Sequence, residues 1–254
     1  MEQEGLARVS RAAAQKVSFC KYKGKFVIYS MIAGAFCSIG MAFAYSTGAA
    51  FYFSPTSREF YKLALGIAFA LSFTLITFAG CELFTSNVFV MTIGSLTRSI
   101  GIRDAAGLLT LCYVSNLIGA AFIAWVFGMT GLLEGSVGEL LVSSTAVKMH
   151  LPFTQALFRG IMCNVLVCLG YWAMAKVQSE VAKLIIIVWV VAGFVTPGYE
   201  HSIANAGIFT MAFLAPAATQ EVTLIGIASN LIPVTLGNLI GGALLVALPY
   251  WITE

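Results

Sequence analysis

The chain has 254 residues, of which 59% are hydrophobic and only 10% are charged, and its mean hydropathy is +0.92. This composition excludes a soluble domain of the same length and is typical of a protein that crosses a membrane several times. The net charge of +3 is spread over the termini and connections, without a basic run suited to nucleic acid. We therefore predict a polytopic membrane protein that does not bind nucleic acid.

The chain begins with a polar stretch of high helical propensity. Residues 2–19 carry Arg8, Arg11 and Lys16 on a polar face, as a helix lying on a membrane surface does. We predict that residues 1–24 form a cytoplasmic amphipathic helix and that residues 25–254 form a single six-helix transmembrane domain. The six apolar segments, each near the ~20 residues that a spanning helix needs, are 26–53, 60–97, 104–128, 153–176, 182–213 and 222–250. The connection 129–152 is too polar to span and is predicted as the longest loop.

The second and fifth segments are overlong, and both contain polar interruptions, near residues 81–87 and 197–200. In the fifth segment, Pro197 and Gly198 directly precede Glu200 and His201. Freed backbone groups and charged side chains are tolerated at membrane depth only where they face protein or a water-filled cavity. We therefore predict two discontinuous helices that line a pathway.

The second half of the chain repeats the first. The pattern Glu-x4-Asn occurs at residues 82–87 and 200–205, which are 118 residues apart, and NLIGA at 116–120 matches NLIGG at 238–242. Gly-x-x-Cys at residues 34–37 and 160–163 is a third match in the same order. A unit of three spans reinserts upside down, so the sequence predicts an all-α membrane protein with six helices in a 3+3 inverted repeat, of which helices 2 and 5 are broken.

The distribution of Lys and Arg predicts the orientation. If the N-terminus is cytoplasmic, ten of the 14 Lys and Arg residues lie on the cytoplasmic side and four on the other. Cytoplasmic connections carry the excess of these residues. We expect both termini in the cytoplasm.

Three ionisable residues lie clearly in the interior of the predicted spans, away from their ends: Glu82, Glu200 and His201. Each charge at mid-membrane costs roughly 2.5–3.5 kcal/mol. The repeat-related glutamates, with Asn87 of the first motif, favour a scaffold role in which the carboxylates cap backbone N–H groups where a helix restarts; the alternative is direct contact with the permeant. His201 breaks the symmetry, because Leu83 stands at the equivalent position, and its imidazole can exchange a proton near neutral pH.

Other polar residues near the breaks allow two roles each. The hydroxyls of Thr85 and Ser86 either replace lost hydration or bond the backbone one turn back, and Asn164 faces either the pore or a neighbouring helix. Lys148 either attracts anions at the outer mouth or is simply solvated. The phenylalanines that flank the breaks either pack or form hydrophobic constrictions: Phe69, Phe73, Phe84 and Phe194.

The charge-bearing features point to an anionic permeant. Helices that restart at mid-membrane direct their positive N-terminal ends at the cavity, and the histidine and Lys148 can add positive charge. The nucleotide-binding motif GxxxxGK[ST] does not occur in the sequence, so we do not expect ATP to drive the process.

Four motifs carry a resemblance to a known family: GCELFTSN at 80–87, EHSIAN at 200–205, Cys163-Asn164, and LGNLIGG at 236–242. Over essentially its whole length the chain resembles the formate/nitrite transporter family, and within it the hydrosulfide-channel branch. The resemblance implies an aquaporin-like six-helix fold, a homopentamer with one pore per protomer in the inner membrane lipid, and passage of small monovalent anions (HS⁻, formate, nitrite). We expect no cofactor and no metal, because one histidine and two repeat-related glutamates give no recognisable metal-ligand spacing.

The resemblance also assigns roles. His201 matches the central pore histidine, Thr85 the hydroxyl on the loop that interrupts the second helix, and Lys148 the lysine of the outer vestibule. Asn164 matches a polar pore-lining position, and Asn205 is expected beside it. The remaining matches form two constrictions, Phe69 with Phe194 and Phe73 with Phe84, and Leu83 is grouped with them; Phe73 stands where some relatives carry leucine.

The sequence thus predicts a passive anion channel, not an enzyme. It leaves open whether the anion is protonated at His201 and crosses as the neutral acid or passes as the anion. The first alternative is a neutral-solute channel of the aquaporin type, but the sequence has no Asn-Pro dipeptide. The second is an intramembrane hydrolase that uses Ser202 or Ser86 with His201, for which no glycine-framed nucleophile occurs.

Overall fold

The computed structural model describes residues 2–217 and 222–253, so the outermost residues of the two predicted domains, 1 and 254, lie outside it. In this part of the chain all regular structure is helical. The helices are α1 Glu2–Cys20, α2 Lys23–Tyr52, α3 Tyr61–Phe78, α4 Phe84–Leu96, α5 Ile102–Gly128, α6 Ser136–Met149, α7 Phe153–Lys176, α8 Glu180–Val195, α9 Ser202–Leu214, α10 Leu224–Gly242 and α11 Leu248–Thr253. A short 3₁₀ turn leads into α3, and a π-helical turn at Ala243–Ala247 joins α10 to α11.

These helices form the six predicted spans. The spans α2, α5, α7 and α10–α11 are long and apolar enough to cross a membrane, and α3 with its preceding turn also meets that length. The short apolar helices α4 and α9 complete the second and fifth spans, which begin with α3 and α8. The fold is therefore the predicted all-α membrane architecture with two broken helices.

Each break begins at a glycine in the left-handed region. Gly80 has φ +67° and Gly198 has φ +86°, and the two lie 118 residues apart, at equivalent places of the repeat. Cys81 N–H then donates to Ile76 O at 3.0 Å, as Tyr199 N–H donates to Phe194 O at 3.0 Å. This six-to-one bond after a left-handed residue terminates a helix and satisfies one of its last carbonyls. A side chain at either glycine would strain the turn.

The first break is shorter than predicted. We expected it near residues 81–87, but α4 already begins at Phe84. Thr85 and Ser86 therefore lie in the first turn of α4 and not in a loop, which corrects the position that the resemblance implied for Thr85. The early restart is possible because a side chain of α5 accepts the first N–H of α4, as described below.

The predicted loop 129–152 contains a helix, α6, which corrects the expectation of an irregular connection. Leu140, Leu141 and Thr145 of α6 are buried, and α6 packs on α9, α2 and α10. The first half shows the same arrangement, because α1 packs on α4, α7 and α5. The repeat unit therefore consists of a surface helix followed by three spans, and α1 and α6 are equivalent elements.

The remaining packing also follows the inverted repeat. Helix α2 packs along α5, as α7 packs along α10. The two broken spans meet where α3 packs on α8. This places both breaks, with their ionisable side chains, in the interior of the protomer.

Candidate permeation site

Two wide cavities open at opposite ends of the protomer. The first, which we name the α6 vestibule, has a volume of about 290 Å³ and is lined by Lys62, Lys148, Arg159, Glu200 and His201, among others. The second, the α1 vestibule, has a volume of about 370 Å³, and Arg8, Lys16, Cys81, Ser86 and Lys183 contribute to its wall. Each vestibule carries an excess of basic side chains.

A small cavity of about 10 Å³ lies between the vestibules. Phe194 and His201 line both this cavity and the α6 vestibule, while Phe73 lines both this cavity and the α1 vestibule. Its wall is mostly apolar and consists of Cys37, Phe69, Ser72, Phe73, Ile76, Leu83, Val167, Val191, Phe194 and His201. A volume of this size holds about one water molecule. The three cavities therefore form one route with a narrow apolar centre.

Four of the five side chains predicted to form constrictions lie in this centre. The rings of Phe69 and Phe194 meet edge to face with centroids 6.2 Å apart, and the ring of Phe194 also stacks on His201 at 6.1 Å. Phe73 and Leu83 complete the set.

Phe84, by contrast, is absent from the walls of all three cavities in the described part of the chain. Its ring packs edge to face on Tyr113 of α5, 4.8 Å away. The reason is its place as the first residue of α4, where the side chain turns toward the neighbouring span. The ring of Phe84 thus contacts α5, and Leu83 is the residue of this pair that lines the centre. That Phe84 narrows the route stays a prediction.

His201 is held at both ring nitrogens. Its Nδ1 accepts a hydrogen bond from Ala204 N–H at 3.2 Å, and its Nε2 lies 3.0 Å from Thr85 Oγ1. Because a backbone N–H can only donate, Nδ1 carries no hydrogen, and the neutral ring must carry it on Nε2. His201 thus donates to Thr85, whose own hydroxyl hydrogen stays available for another acceptor.

Asn164 contacts neighbouring helices, which is one of the two positions that the sequence allowed for it. It is fully buried and lines none of the three cavities in the described structure. Its Nδ2 donates to Thr85 O at 3.2 Å and to Asn238 O at 2.5 Å, which ties α7 to α4 and α10. Asn205, in contrast, lines the α6 vestibule. The structure thus places Asn164 among the packed helices, while Asn205 reaches the route.

Both glutamates are paired with lysines. Lys16 Nζ lies 2.6 Å from Glu82 Oε2 and Lys148 Nζ lies 2.7 Å from Glu200 Oε1. Asn87 Nδ2 donates to Glu82 at 2.8 Å, and Asn205 Nδ2 to Glu200 at 2.5 Å. The lysines come from the equivalent helices α1 and α6.

This pairing corrects two expectations. The carboxylates accept hydrogen bonds from ammonium and amide groups, and not from the backbone N–H groups of the restarting helices. Lys148 is largely buried and neutralised by Glu200, so it is neither a solvated loop residue nor an unpaired positive charge. Both corrections have one cause, because the surface helices α1 and α6 bring a lysine within reach of each break.

The N–H groups at the two restarts are capped by asparagines instead. Asn116 Oδ1 accepts from Phe84 N–H at 2.8 Å, and Asn238 Oδ1 accepts from Ser202 N–H at 3.0 Å. Each Nδ2 donates to the carbonyl of the glutamate, Asn116 to Glu82 O at 2.9 Å and Asn238 to Glu200 O at 3.0 Å. One amide therefore satisfies both the donor and the acceptor that a break leaves unpaired.

Sequence reasoning missed three of these residues as parts of the site: Lys16, Asn116 and Asn238. The two asparagines begin the NLIGA and NLIGG matches, so the repeat already marked them, although without a role. Lys16 gave no such signal, because its partner Glu82 is 66 residues away in the sequence.

The comparisons with known proteins agree with this geometry. The family model described as formate/nitrite transporter matches residues 3–252. The chain is 36% identical to "Uncharacterized transporter YwcJ" of Bacillus subtilis (strain 168) over 253 residues, which cover 99% of this chain and 98% of that protein. It is 29% identical to a solved "FNT family ion channel" with a TM-score of 0.92, covering 99% of both chains.

A second solved structure, "Pentameric formate channel with formate bound", has a TM-score of 0.83 and 30% identity, and covers 92% of this chain and 98% of that one. The relatives are named as transporters and channels, so this chain is a membrane transport protein and not an enzyme. The family match over nearly the whole length, together with the two broken spans, shows that the chain belongs to the formate/nitrite transporter family.

Proposed function

We propose that the protein is a passive channel for small monovalent anions, with HS⁻ as the best substrate and formate and nitrite as further substrates. The observation that supports this most directly is the line of two basic vestibules joined by a narrow apolar centre. Basic vestibules concentrate anions, whereas an apolar constriction rejects hydrated ions and passes small, weakly hydrated or neutralised ones. The family name and the bound formate of the solved relative support the same class of substrate.

The size of the centre favours HS⁻. The cavity between Phe194 and Phe73 has a volume of about 10 Å³, which suits one water-sized particle. HS⁻ contains one heavy atom, whereas formate and nitrite contain three, so the larger anions require a wider opening of the phenylalanines.

We propose that the anion takes up a proton from the water of the α6 vestibule beside His201, crosses the centre as the neutral acid and releases the proton to the water of the α1 vestibule. The support is electrostatic, because the wall beyond His201 consists of Phe69, Phe73, Leu83 and other mostly apolar side chains. A net charge between such walls is expensive, whereas the neutral acid is not. His201 stands at the border of the α6 vestibule and the centre, where this exchange is needed.

We further propose that the protein works as a homopentamer in the inner membrane, with the α1 vestibule on the cytoplasmic side. The pentameric solved relative supports the assembly. Native mass spectrometry of the purified protein checks it, with an expected mass of about five times the 27.1 kDa of the chain; a monomer under all mild detergent conditions would contradict it.

Stopped-flow flux into proteoliposomes tests the channel. We expect vesicles with wild-type protein to take up HS⁻, formate and nitrite faster than protein-free vesicles do, and HS⁻ faster than the other two anions. Uptake should be faster at about pH 6 than at about pH 7.5. His201→Asn and His201→Phe should lower flux about tenfold or more at the lower pH and flatten its pH dependence.

The exposed histidine, His150, provides the matched control, since its Nδ1 bonds only Ala146 O at 2.8 Å. His150→Asn should leave both flux and pH profile unchanged. If His201 variants keep the wild-type profile, proton uptake at this residue is refuted. Water flux without anion flux would support the neutral-solute alternative and overturn the proposed function.

A further inference from the structure

Among the described residues, no carboxylate neutralises the guanidinium group of one arginine in the wall of the α6 vestibule. Of the described residues in its wall, Lys62, Lys148 and Arg159 are basic and Glu200 alone is acidic. Glu200 is already paired with Lys148 at 2.7 Å. Arg159 is partly buried in α7, and in the described part of the chain its side chain forms no ion pair or hydrogen bond.

The other vestibule lacks an equivalent group. Arg8, the arginine in the wall of the α1 vestibule, donates from its guanidinium to Ala175 O at 2.7 Å and lies 4.0 Å from Glu4 Oε1. Its donors are thus partly used by the protein, and its charge has a counterpart. Among the described wall residues, an unused guanidinium is therefore a property of the α6 vestibule.

The position of Arg159 is fixed by the break in the fifth span. Its backbone carbonyl accepts a hydrogen bond from Glu200 N–H at 3.2 Å. Glu200 adjoins His201, the first residue of the narrow centre on this side. An anion held by Arg159 is consequently held in the cavity that leads directly to His201.

We propose that Arg159 is a docking and specificity-determining residue that binds the two oxygens of formate or nitrite and thereby favours these anions over HS⁻ in the α6 vestibule. A guanidinium offers parallel N–H donors that match two oxygens on one central atom, which an ammonium group does not. HS⁻ has a single heavy atom and gains only the charge attraction. This inference rests on the proposed function, in which all three anions enter this vestibule.

Lys62 and Arg159, the two basic residues of the wall other than the paired Lys148, then have different tasks. Lys62 is exposed and contributes a point charge that attracts every anion alike. Arg159 contributes the same charge together with a geometry that distinguishes oxyanions from HS⁻. The narrow centre favours passage of the smallest anion, whereas the vestibule favours binding of the two oxyanions. The selectivity of the channel therefore depends on the relative strength of these two preferences.

The test compares half-saturation concentrations for entry of formate, nitrite and HS⁻ in wild type, Arg159→Lys and Lys62→Gln. Arg159→Lys keeps the positive charge but loses the pair of parallel N–H donors. We therefore expect the half-saturation concentrations for formate and nitrite to rise about three- to tenfold, as the loss of one hydrogen bond predicts. The value for HS⁻ should stay within about twofold. Lys62→Gln should raise all three values by the same factor.

Two results would overturn the proposal: an Arg159→Lys variant that matches wild type for every anion, or one that weakens all three equally. Failure of the wild type to conduct any of the anions would refute the proposed function instead. In that case ¹H saturation-transfer NMR of formate with wild type and Arg159→Lys still decides the docking role, because it reports binding without flux. A formate signal equal in both proteins would then reject it.

Discussion

At the scale of single residues, the site is built from side chains that each form a hydrogen bond with at least one backbone group at a helix break. Asn238 accepts the N–H of Ser202 and donates to the carbonyls of Glu200 and Gly160, at 3.0 Å and 2.8 Å. His201 caps the same helix start through Ala204 N–H while its other nitrogen faces Thr85. The position and the tautomer of the central histidine therefore depend on neighbours that lie outside the route itself.

Asn238→Leu should destabilise the protein, because the leucine has a similar volume but leaves the N–H of Ser202 and the carbonyl of Glu200 buried without partners. Each such group costs about 1–3 kcal/mol. We expect the midpoint of thermal unfolding in detergent to fall by about 5–10 °C. Asn116→Leu at the repeat-related position should have a similar effect.

The control for these substitutions is Thr110→Ala, which removes an exposed hydroxyl that bonds only Ala106 O within α5. It should shift the midpoint by less than about 2 °C. An Asn238→Leu variant as stable as this control would show that the amide does not hold the break, and that packing alone fixes the restart of α9.

At the scale of elements, the sequence predicts the spans and the breaks because local signals determine them. Pro197 and Gly198 mark the end of α8 in the sequence. The length of each apolar segment is sufficient to identify it as a span. The surface helix α6 is not predictable in the same way, since it is neither apolar enough to span nor amphipathic enough to stand out. The Lys16–Glu82 ion pair cannot be predicted from local sequence either, because the two residues meet only after α1 packs on α4.

The surface helix α1 depends on this ion pair. Burial lowers the pKa of the Lys16 ammonium, but the Glu82 carboxylate, together with Tyr171 and Cys112, raises it, and the resulting pKa lies above its ordinary value of 10.5. Since the folded-state pKa is raised, the stabilisation is complete at neutral pH and is lost only as pH rises through that value. The pair therefore holds α1 against the first break at every physiological pH.

Glu82→Gln should loosen α1, because it leaves the Lys16 ammonium, only 19% exposed, without its counter-charge. Breaking one side of a buried pair costs about 3–5 kcal/mol. We expect hydrogen exchange of the α1 amides, followed by mass spectrometry, to become about tenfold faster or more. The double variant Lys16→Gln/Glu82→Gln should return to within about threefold of wild type.

The recovery in the double variant separates charge from packing. Lys21→Gln, at an exposed position just beyond α1, is the control and should exchange like wild type. Equal exchange in the single and double variants would mean that the ion pair contributes nothing specific, and that α1 is held by Val9, Ala13 and its other buried residues.

At the scale of the whole molecule, the inverted repeat gives the two ends similar chemistry but not identical chemistry. Each vestibule has a paired lysine contributed by a surface helix, and each break has an asparagine cap. The differences lie at His201, opposite Leu83, and at Arg159. An almost symmetric scaffold thus carries a centre in whose described wall His201 is the one basic side chain. The position of His201 therefore defines the direction of the route.

We predict the orientation of this asymmetry in the membrane from the distribution of charge. Ten of the 14 Lys and Arg residues belong to the α1 side, and such an excess marks the cytoplasmic face. Six crossings return the chain to the side where it began, so both termini should be cytoplasmic. Arg159 and His201 would then face incoming anions from outside the cell.

Fusions to alkaline phosphatase and to green fluorescent protein test this orientation, since the first is active only outside the cytoplasm and the second is fluorescent only within it. A fusion after Thr253 should be fluorescent and lack phosphatase activity. A fusion after Glu134, between α5 and α6, follows three crossings and should show the opposite, which makes it the internal control. The reverse result at both positions would mean that the protein has the opposite orientation in the membrane. Arg159 would then face the cytoplasm and would select among anions that leave the cell.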